Sequence, residues 1–553
     1  MLQSGTSLQD GVIDVGNVSV ALSGGGHRAA LFAAGALMAL TDTGVNQQVG
    51  VIASVSGGSI TNGLVAKSGD FAAQDTDTEK LKGWLRPVLA MIHRNGLFFP
   101  GKPTNGYVRG VFLLFGLLTA SLLTLITFCV AIGRPSSWQT AWIVAAIELG
   151  VSLLAAVALW LFKRAKLKLE VVWPFIVGLL GIAACAPAVR FSFAPGHSTK
   201  TSVFTAAAVV LYAFAAYQLA VRRFGLRSQK VDDALRCVLF GGATLASIDR
   251  SVHHVFCTTN LASGTQAFLT PRLVSCSRMG IEHPSPTLKL STAVQVSSAF
   301  PGGFNARRLT ASELFAAPTG AELTVADLAD GGVYDNMADQ WELGWAERRK
   351  RLESESGPAL TSFNTQQSHM LVVINAGGSY DPEPIKGRGL GREIAALMKD
   401  KDVMYAQTTA VKRRYLYRLF VEGGLLHGAL AQITQSPYDV PNDLAPAPDT
   451  APANDFQARA RMAIGFLDQV ASPGPGATRQ AAWSHVRDRS HSISTVLSTL
   501  DPAVCVNLML HAYVLTRINL FVLLGLGSLP DPADAAEMRK WTHEPFQELV
   551  ESS

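Results

Sequence analysis

The sequence predicts an α/β protein with a central, mostly parallel sheet, interrupted by a bundle of four transmembrane helices. Two observations near the N-terminus predict the sheet. An apolar, β-branched run ends in a glycine-rich turn that enters a helix, and the pattern then repeats. A third predicts the interruption: four long apolar runs follow one another between residues 110 and 221.

The first strand is VSVAL at residues 18–22, continuous and apolar as a strand buried on both faces requires. It meets Ser23-Gly24-Gly25-Gly26-His27-Arg28 and then a run of small residues, 29–40, that reads as a helix. Residues 49–55 form the second strand, which ends at Ser56-Gly57-Gly58-Ser59 and enters another helix. Strands alternating with helices imply a parallel sheet, whose ligand sites lie at the carboxyl ends of its strands. Both glycine turns fall at such ends.

The apolar runs come next. Residues 110–133 and 171–189 carry no charge, nor do 202–221, and 141–162 carry one acid, Glu148. About 20 apolar residues cross a hydrocarbon core. The second connector holds Lys163, Arg164, Lys166 and Lys168, and the exit from the fourth run holds Arg222, Arg223, Arg227 and Lys230. The other connectors hold only Arg134, and then Arg190 and Lys200. Basic ends face the cytoplasm, which places both flanking parts on that side. Glu148 has no basic partner in the other runs, so burial against a neighbouring helix is preferred to a transport role. A further apolar stretch, 504–529, is interrupted by Arg517 and reads as a packed helix rather than one lying in the membrane interface.

Composition agrees. Of 553 residues, 48% are hydrophobic and 16% charged, where about 25% charged is ordinary. Net charge is +5, and no Lys/Arg stripe interleaves with aromatics, so nucleic acid is not an expected partner. Six scattered cysteines form no C-x-x-C pair, which removes zinc and thioredoxin-like readings. The N-terminus lacks the basic and apolar regions of a signal peptide.

Three chemistries compete for the first glycine turn. A phosphate-binding loop needs G-K-[ST], which is absent. The spacing Gly24-x-Gly26-x-x-Ala29 fits a dinucleotide fingerprint, but no acid closes the second strand to hold a ribose. The third is an oxyanion hole, in which consecutive glycines turn backbone N–H groups into one small volume at the positive end of a helix. The second turn favours this last reading. Ser54-Val55-Ser56-Gly57-Gly58 is similar to the G-x-S-x-G nucleophile elbow, with Ser54 in place of the first glycine. Ser56 is the candidate nucleophile, and Ser54 and Ser59 compete with it. Its base is sought at a later strand, 322–328, which leads to Asp330-Gly331-Gly332. His27, His253 and His254 lie in less specific settings than Asp330.

Taken in order, these motifs resemble the patatin-like phospholipase family. The glycine motif with its basic residue, Gly24-Gly25-Gly26-His27-Arg28, is followed by the elbow Ser56. A Ser-Ala-x-Pro segment, Ser298-Ala299-Phe300-Pro301, then precedes Asp330-Gly331-Gly332. The resemblance covers about residues 17–100 and 231–380. It implies a three-layer α/β domain that hydrolyses acyl esters of lipids with a serine–aspartate dyad, Ser56 and Asp330, without metal or other cofactor. It assigns Gly24, Gly25 and Gly26 to the oxyanion hole. Supporting roles fall to Arg28, Gly57, Gly58, Gly331 and Gly332, with Arg28 either bracing the glycine loop or meeting a lipid phosphate. Ser54 and Ala29 depart from the family's glycines. Ser56 and Asp330 stand 274 positions apart, about 145 once residues 102–230 are set aside.

The expected organisation is therefore 1–101 and 231–438 as two halves of one catalytic domain. Residues 102–230 are the transmembrane insertion, and 439–553 a helical C-terminal region containing a Pro/Ala/Asp-rich linker at 439–455. The expected activity is that of a membrane-anchored lipid acyl hydrolase acting on a membrane lipid. The alternatives are a lipid acyltransferase, which shares the acyl-serine intermediate, and an inactive membrane scaffold or receptor.

Overall fold

A computed structural model describes residues 18–95, 227–248, 251–301, 304–317, 323–355, 368–377, 384–385, 390–421, 426–470, 478–495 and 499–553. The four apolar runs, Glu148 and the basic connectors lie outside the described residues, apart from Arg227 and Lys230. The chain divides into two compact units: Met1–Gly101 with Val231–Ser553, and Lys102–Lys230.

The first unit is built on a ten-stranded mixed sheet. Strands β1 (Val18–Leu22), β2 (Val49–Ser54), β3 (His253–Asn260), β9 (Met370–Asn375) and β10 (His427–Gln432) form its parallel half, in the order β10-β9-β1-β2-β3. All five residues of β1 are buried between two parallel neighbours, which explains its unbroken apolar sequence. Beyond β3 the sheet turns antiparallel through β4 (Thr265–Leu269), β5 (Val274–Cys276) and β6 (Gly280–Glu282). The predicted parallel core is thus present, in a mixed sheet that adds antiparallel strands beyond β3. The antiparallel strands are short hairpins that need no crossover helix.

The side of β3 away from β4 is shared by two strands. β2 pairs with its first half, the last pair being Ser54 with Phe256. β8 (Val325–Asp330), which also carries β7 (Arg307–Thr310), pairs antiparallel with the second half of β3, with Asp330 opposite Thr258. The carboxyl ends of β2 and β8 therefore approach each other on one flank of β3. Their last residues sit opposite positions two apart, roughly 7 Å at the rise of a strand.

Both faces of the sheet carry apolar cores. Val18, Val20 and Leu22 join one, and Ala21, Ala53, Val55 and Val255 join the other. On the first face, α1 (Gly26–Asp42) is buried from Gly26 to Thr41. It lies with α2 (Gly57–Ser68), α3 (Thr78–Ala90) and α4 (Leu290–Ser297) in this core. The second face receives Met337, Trp341, and Leu416 and Phe420 of the long helix α5 (Leu390–Val421).

The apolar stretch that begins at 504 is a packed helix as far as Leu524, as its interruption by Arg517 suggests. Helix α6 (Pro502–Asn519) is buried along most of its length. A Cβ on Gly35 of α1 would fall 2.1 Å from Met509 O, so the two helices touch backbone to backbone. Among the described residues this is the one helix long and apolar enough to cross a membrane, counting its continuation to Leu524, and 83% of its apolar window is buried inside the protein. The buried Arg517 donates to Tyr513 Oη at 2.7 Å, and Tyr513 donates to Asp42 Oδ2 at 2.6 Å. That chain of bonds carries the arginine's charge to a carboxylate.

Candidate active site

The site is assembled where the strands end. After β1, Ser23 N–H donates to Ile374 O and Gly24 N–H to Asn336 O, both at 3.0 Å. Gly25 (φ 142°) and Gly26 (φ 62°) then turn the chain into α1 through backbone angles that side chains disfavour. Gly24 has no room for a side chain. A Cβ there would lie 2.3 Å from Asn336 Oδ1 and 3.2 Å from Ser56 Cβ, so the glycine loop rests directly against the elbow. The elbow packs back in return. A Cβ on Gly57 would meet Gly26 O at 2.0 Å, and one on Gly58 would meet Leu22 O at 2.7 Å.

Ser56 has φ 52° and ψ −119°, outside the left-handed basin that non-glycine residues tolerate. A strained residue between a strand and a helix is the signature of an exposed nucleophile. Its backbone is held from both sides. Ser56 N–H donates to Ser297 O at 3.1 Å and to Ser297 Oγ at 3.2 Å, and Ser298 Oγ donates to Ser56 O at 2.9 Å.

The competing serines are structural. Ser56 is half-buried, whereas Ser54 and Ser59 are buried completely. Ser54 Oγ donates to Val255 O and receives Ser59 Oγ at 3.0 Å and Asn62 Nδ2 at 2.8 Å. Ser59 Oγ also meets Ser297 Oγ at 2.8 Å. The departure from glycine at position 54 thus serves a polar network beneath the elbow. That network takes in His254, whose Nδ1 meets Asn62 Oδ1 at 2.7 Å. His253 is held neutral by burial, with Arg272 and Arg348 adding to the effect, and its ring lies 5.2 Å from that of Trp341.

Asp330 is the last residue of β8 and is buried. Its Oδ1 accepts from Gly332 N–H at 2.7 Å, which fixes the carboxylate over the turn that follows. A Cβ on Gly331 would lie 2.3 Å from Cys257 O and 3.1 Å from Val55 Cγ2, so this turn can close against β3 and the elbow only with glycine. Asp330 N–H donates to Ala299 O at 3.0 Å. The Ser-Ala-x-Pro region is therefore a bracket. Ser297 O holds the nucleophile's backbone, and Ala299 O, two residues on, holds that of the acid.

Of the three glycines assigned by resemblance to an oxyanion hole, Gly24 has its N–H engaged by Asn336 O. Among the described residues, the N–H groups of Gly25, Gly26 and Gly57 have no backbone acceptor. They are the donors available beside Ser56 at two helix N-termini. Arg28 is buried and bonded to three neighbouring segments, as a brace for the glycine loop would be. Its Nε donates to Ala376 O at 3.0 Å, Nη1 to Ile493 O, and Nη2 to Thr495 Oγ1 at 3.3 Å. Burial lowers its pKa to about 10, which leaves it charged at neutral pH.

Three contributors were not legible as site residues. Asn336 and Asn62 are isolated polar residues whose only sequence signal is proximity to Asp330 and Ser56. Lys412, on α5, bonds Asp335 Oδ1 at 2.6 Å and Asp339 Oδ1 at 2.7 Å, pinning the loop that follows Asp330. Burial and the Asp335 charge raise the Asp339 pKa from 3.8 to about 7. Burial lowers the Lys412 pKa, but its two carboxylates more than offset this and hold it above the ordinary value.

A raised folded-state pKa means the native protein binds the proton more tightly than the unfolded chain. Its contribution to stability is complete below about pH 4 and is lost as pH rises through about 7. Melting temperature is therefore expected to fall between about pH 4 and 7 and to level off above that, and Asp339→Asn to flatten that slope in a thermal scan. At the bracket, Ser297→Ala removes an acceptor from Ser56 N–H and a bond to Cys257 O of 2.6 Å. With the elbow less firmly placed and Cys257 O left without this donor, stability is expected to fall by about 1–3 kcal/mol, read as a lower melting temperature in a thermal scan.

Among the described residues, no group of three or more His, Cys, Asp or Glu is placed to hold a metal ion. No known family model matches the chain, and neither does any curated protein sequence.

Proposed function

We propose that the protein is a membrane-anchored serine lipid acyl hydrolase, a patatin-like phospholipase or esterase that uses Ser56 and Asp330 as a dyad. One observation carries the reading: a strained serine just after β2 and the aspartate that ends β8 lie where those strands end on the same flank of β3, their backbones held by carbonyls two residues apart and the serine faced by a glycine loop.

The chemistry follows from that placement. As Ser56 Oγ attacks the ester carbonyl, its proton passes to the Asp330 carboxylate. The carbonyl oxygen becomes an oxyanion beside the N–H groups of Gly25, Gly26 and Gly57. Collapse expels the alcohol, which takes the proton from Asp330 and leaves an acyl-serine. Water then gives a proton to Asp330 and attacks the acyl carbon, and Ser56 leaves with that proton. No metal or cofactor enters the cycle. Loss of one oxyanion donor typically costs about 10²–10³ in rate.

The lipid part of the reading rests on two supports. Val333 and Tyr334, directly after Asp330-Gly331-Gly332, are exposed apolar side chains. The four apolar runs at 110–221 would hold the domain against a bilayer, with both flanking parts on the cytoplasmic side. The substrate would then be a membrane lipid, reached without its acyl chains crossing water.

The test is covalent. Purified protein in detergent is incubated with a fluorophosphonate probe and digested, and the modified peptide is identified by mass spectrometry. Modification of Ser56, with release of fatty acid from phospholipid or a short-chain ester, is the expected result. Folded protein that resists the probe returns the reading to the inactive scaffold.

A further inference from the structure

We infer that the exposed face of α5 is a docking surface for an anionic lipid membrane. The helix is attached to its own domain along one stripe. Leu416 and Phe420 enter the core, and Lys412, one turn earlier, reaches Asp335 and Asp339. The opposite stripe, at helical spacing, is Val403, Gln407, Val411, Arg414, Tyr415 and Arg418, and every one of these is exposed. Val411 is 59% exposed and Tyr415 54%, and both lie beside exposed arginines of the same helix.

Charge decides the partner. Residues 411–421, VKRRYLYRLFV, contain four basic residues and no acid. Lys412 is spent on its two aspartates. Among the described residues, Arg413, Arg414 and Arg418 form no ion pair with any carboxylate, and Arg414 Nε bonds only Ala410 O of its own helix. A bilayer surface rich in anionic headgroups complements these arginines, while tyrosine and valine enter the headgroup–acyl boundary. Nucleic acid would use the arginines but leave Val403 and Val411 in water, so the membrane is the better match.

Docking has a structural consequence. α5 is joined through Lys412 to the loop that begins at Asp330, so a helix seated on lipid would fix the acid's loop at the membrane surface. The inference rests on the lipid-hydrolase reading for its purpose, but its readout is separate.

The experiment uses the full chain reconstituted into vesicles containing bromolipids, with a fluorescent coumarin amino acid at residue 411 or, as a control, at the exposed residue 462 of another helix. Vesicles are phosphatidylcholine alone or phosphatidylcholine with phosphatidylserine. Quenching at 411 should rise at least about fivefold with the anionic lipid and remain low at 462, since each interfacial arginine contributes about 1 kcal/mol. The triple variant Arg413→Glu, Arg414→Glu, Arg418→Glu should return 411 to its level in phosphatidylcholine. Equal quenching in both vesicle types, equal quenching at 411 and 462, or shielding of 411 only by added RNA or an acidic peptide overturns the proposal. Fluorophosphonate labelling of the same samples separates the two readings. Labelled Ser56 with no quenching sinks the docking surface alone, and quenching with unlabelled Ser56 sinks the hydrolase alone.

Discussion

Ser56→Ala is expected to lower the proposed ester hydrolysis by at least about 10⁴-fold and to leave the fold intact, because no other hydroxyl at this strand end is free to replace it. Ser54 and Ser59 are the nearest alternatives, yet both are buried and their hydroxyls are engaged with Val255 O, Asn62 and Ser297. The backbone bonds that hold position 56, to Ser297 and from Ser298, do not involve its side chain and survive the substitution. Ser56→Gly sharpens the argument. Glycine reaches φ 52° and ψ −119° without a Cβ penalty, so the inactive protein should melt no lower than the wild type. Turnover of a chromogenic ester and a thermal melt on the same preparations check both halves. A Ser56→Gly protein that melts well below wild type would mean the elbow is not strained, and one that keeps its turnover would mean the nucleophile lies elsewhere.

The two central strands of the parallel core, β1 and β2, were legible because each is short, apolar and closed by a glycine turn, and glycine turns have few physical uses. Ser23 to Arg28 and Ser54 to Ser59 could be read as strand-to-helix turns from spacing alone. Asp330 was found by the same logic, although its strand runs from Val325 rather than 322 and ends on the aspartate itself. The Ser297–Ala299 bracket lay within a recognised segment, but its role depends on which carbonyls face which strand, and sequence spacing does not specify that. The antiparallel half of the sheet was missed because β5 and β6 are three residues each, too short for alternation to register. Helix α5 was missed for a different reason. Among its described side chains only Leu416 and Phe420 are buried, so the half that meets the core, rich in charged and tyrosine side chains, does not announce a helix of 32 residues. At 439–455, proline and alanine read as a linker, yet Asp439–Leu444 is helical, with Pro441 buried near its start where proline is tolerated. The networks through Asn62, Asn336 and Lys412 join residues far apart in the chain, and no local rule reaches them.

Asp330→Asn should lower turnover about 10⁴-fold, close to the loss from removing the serine, while the melting temperature stays near wild type. The substitution is nearly isosteric and keeps the oxygen that accepts Gly332 N–H at 2.7 Å, so the turn over Gly331 and Gly332 can still form. The bond from Asp330 N–H to Ala299 O is backbone and is unaffected. What is lost is the capacity to take a proton. An amide cannot accept one from Ser56 in the first step or from water in the second, so both halves of the cycle slow together. The same deficit should slow fluorophosphonate capture, because the probe also requires a deprotonated Ser56. This separates a proton acceptor from a structural aspartate. A merely structural role predicts a lower melting temperature with labelling in proportion to the folded fraction. A proton-accepting role predicts a fully folded protein whose serine reacts sluggishly. If a histidine were the base instead, Asp330→Asn would leave labelling largely intact. His254 is spoken for by Asn62, and His253 is buried against Trp341, so that outcome would require the polar network beneath the elbow to be redrawn.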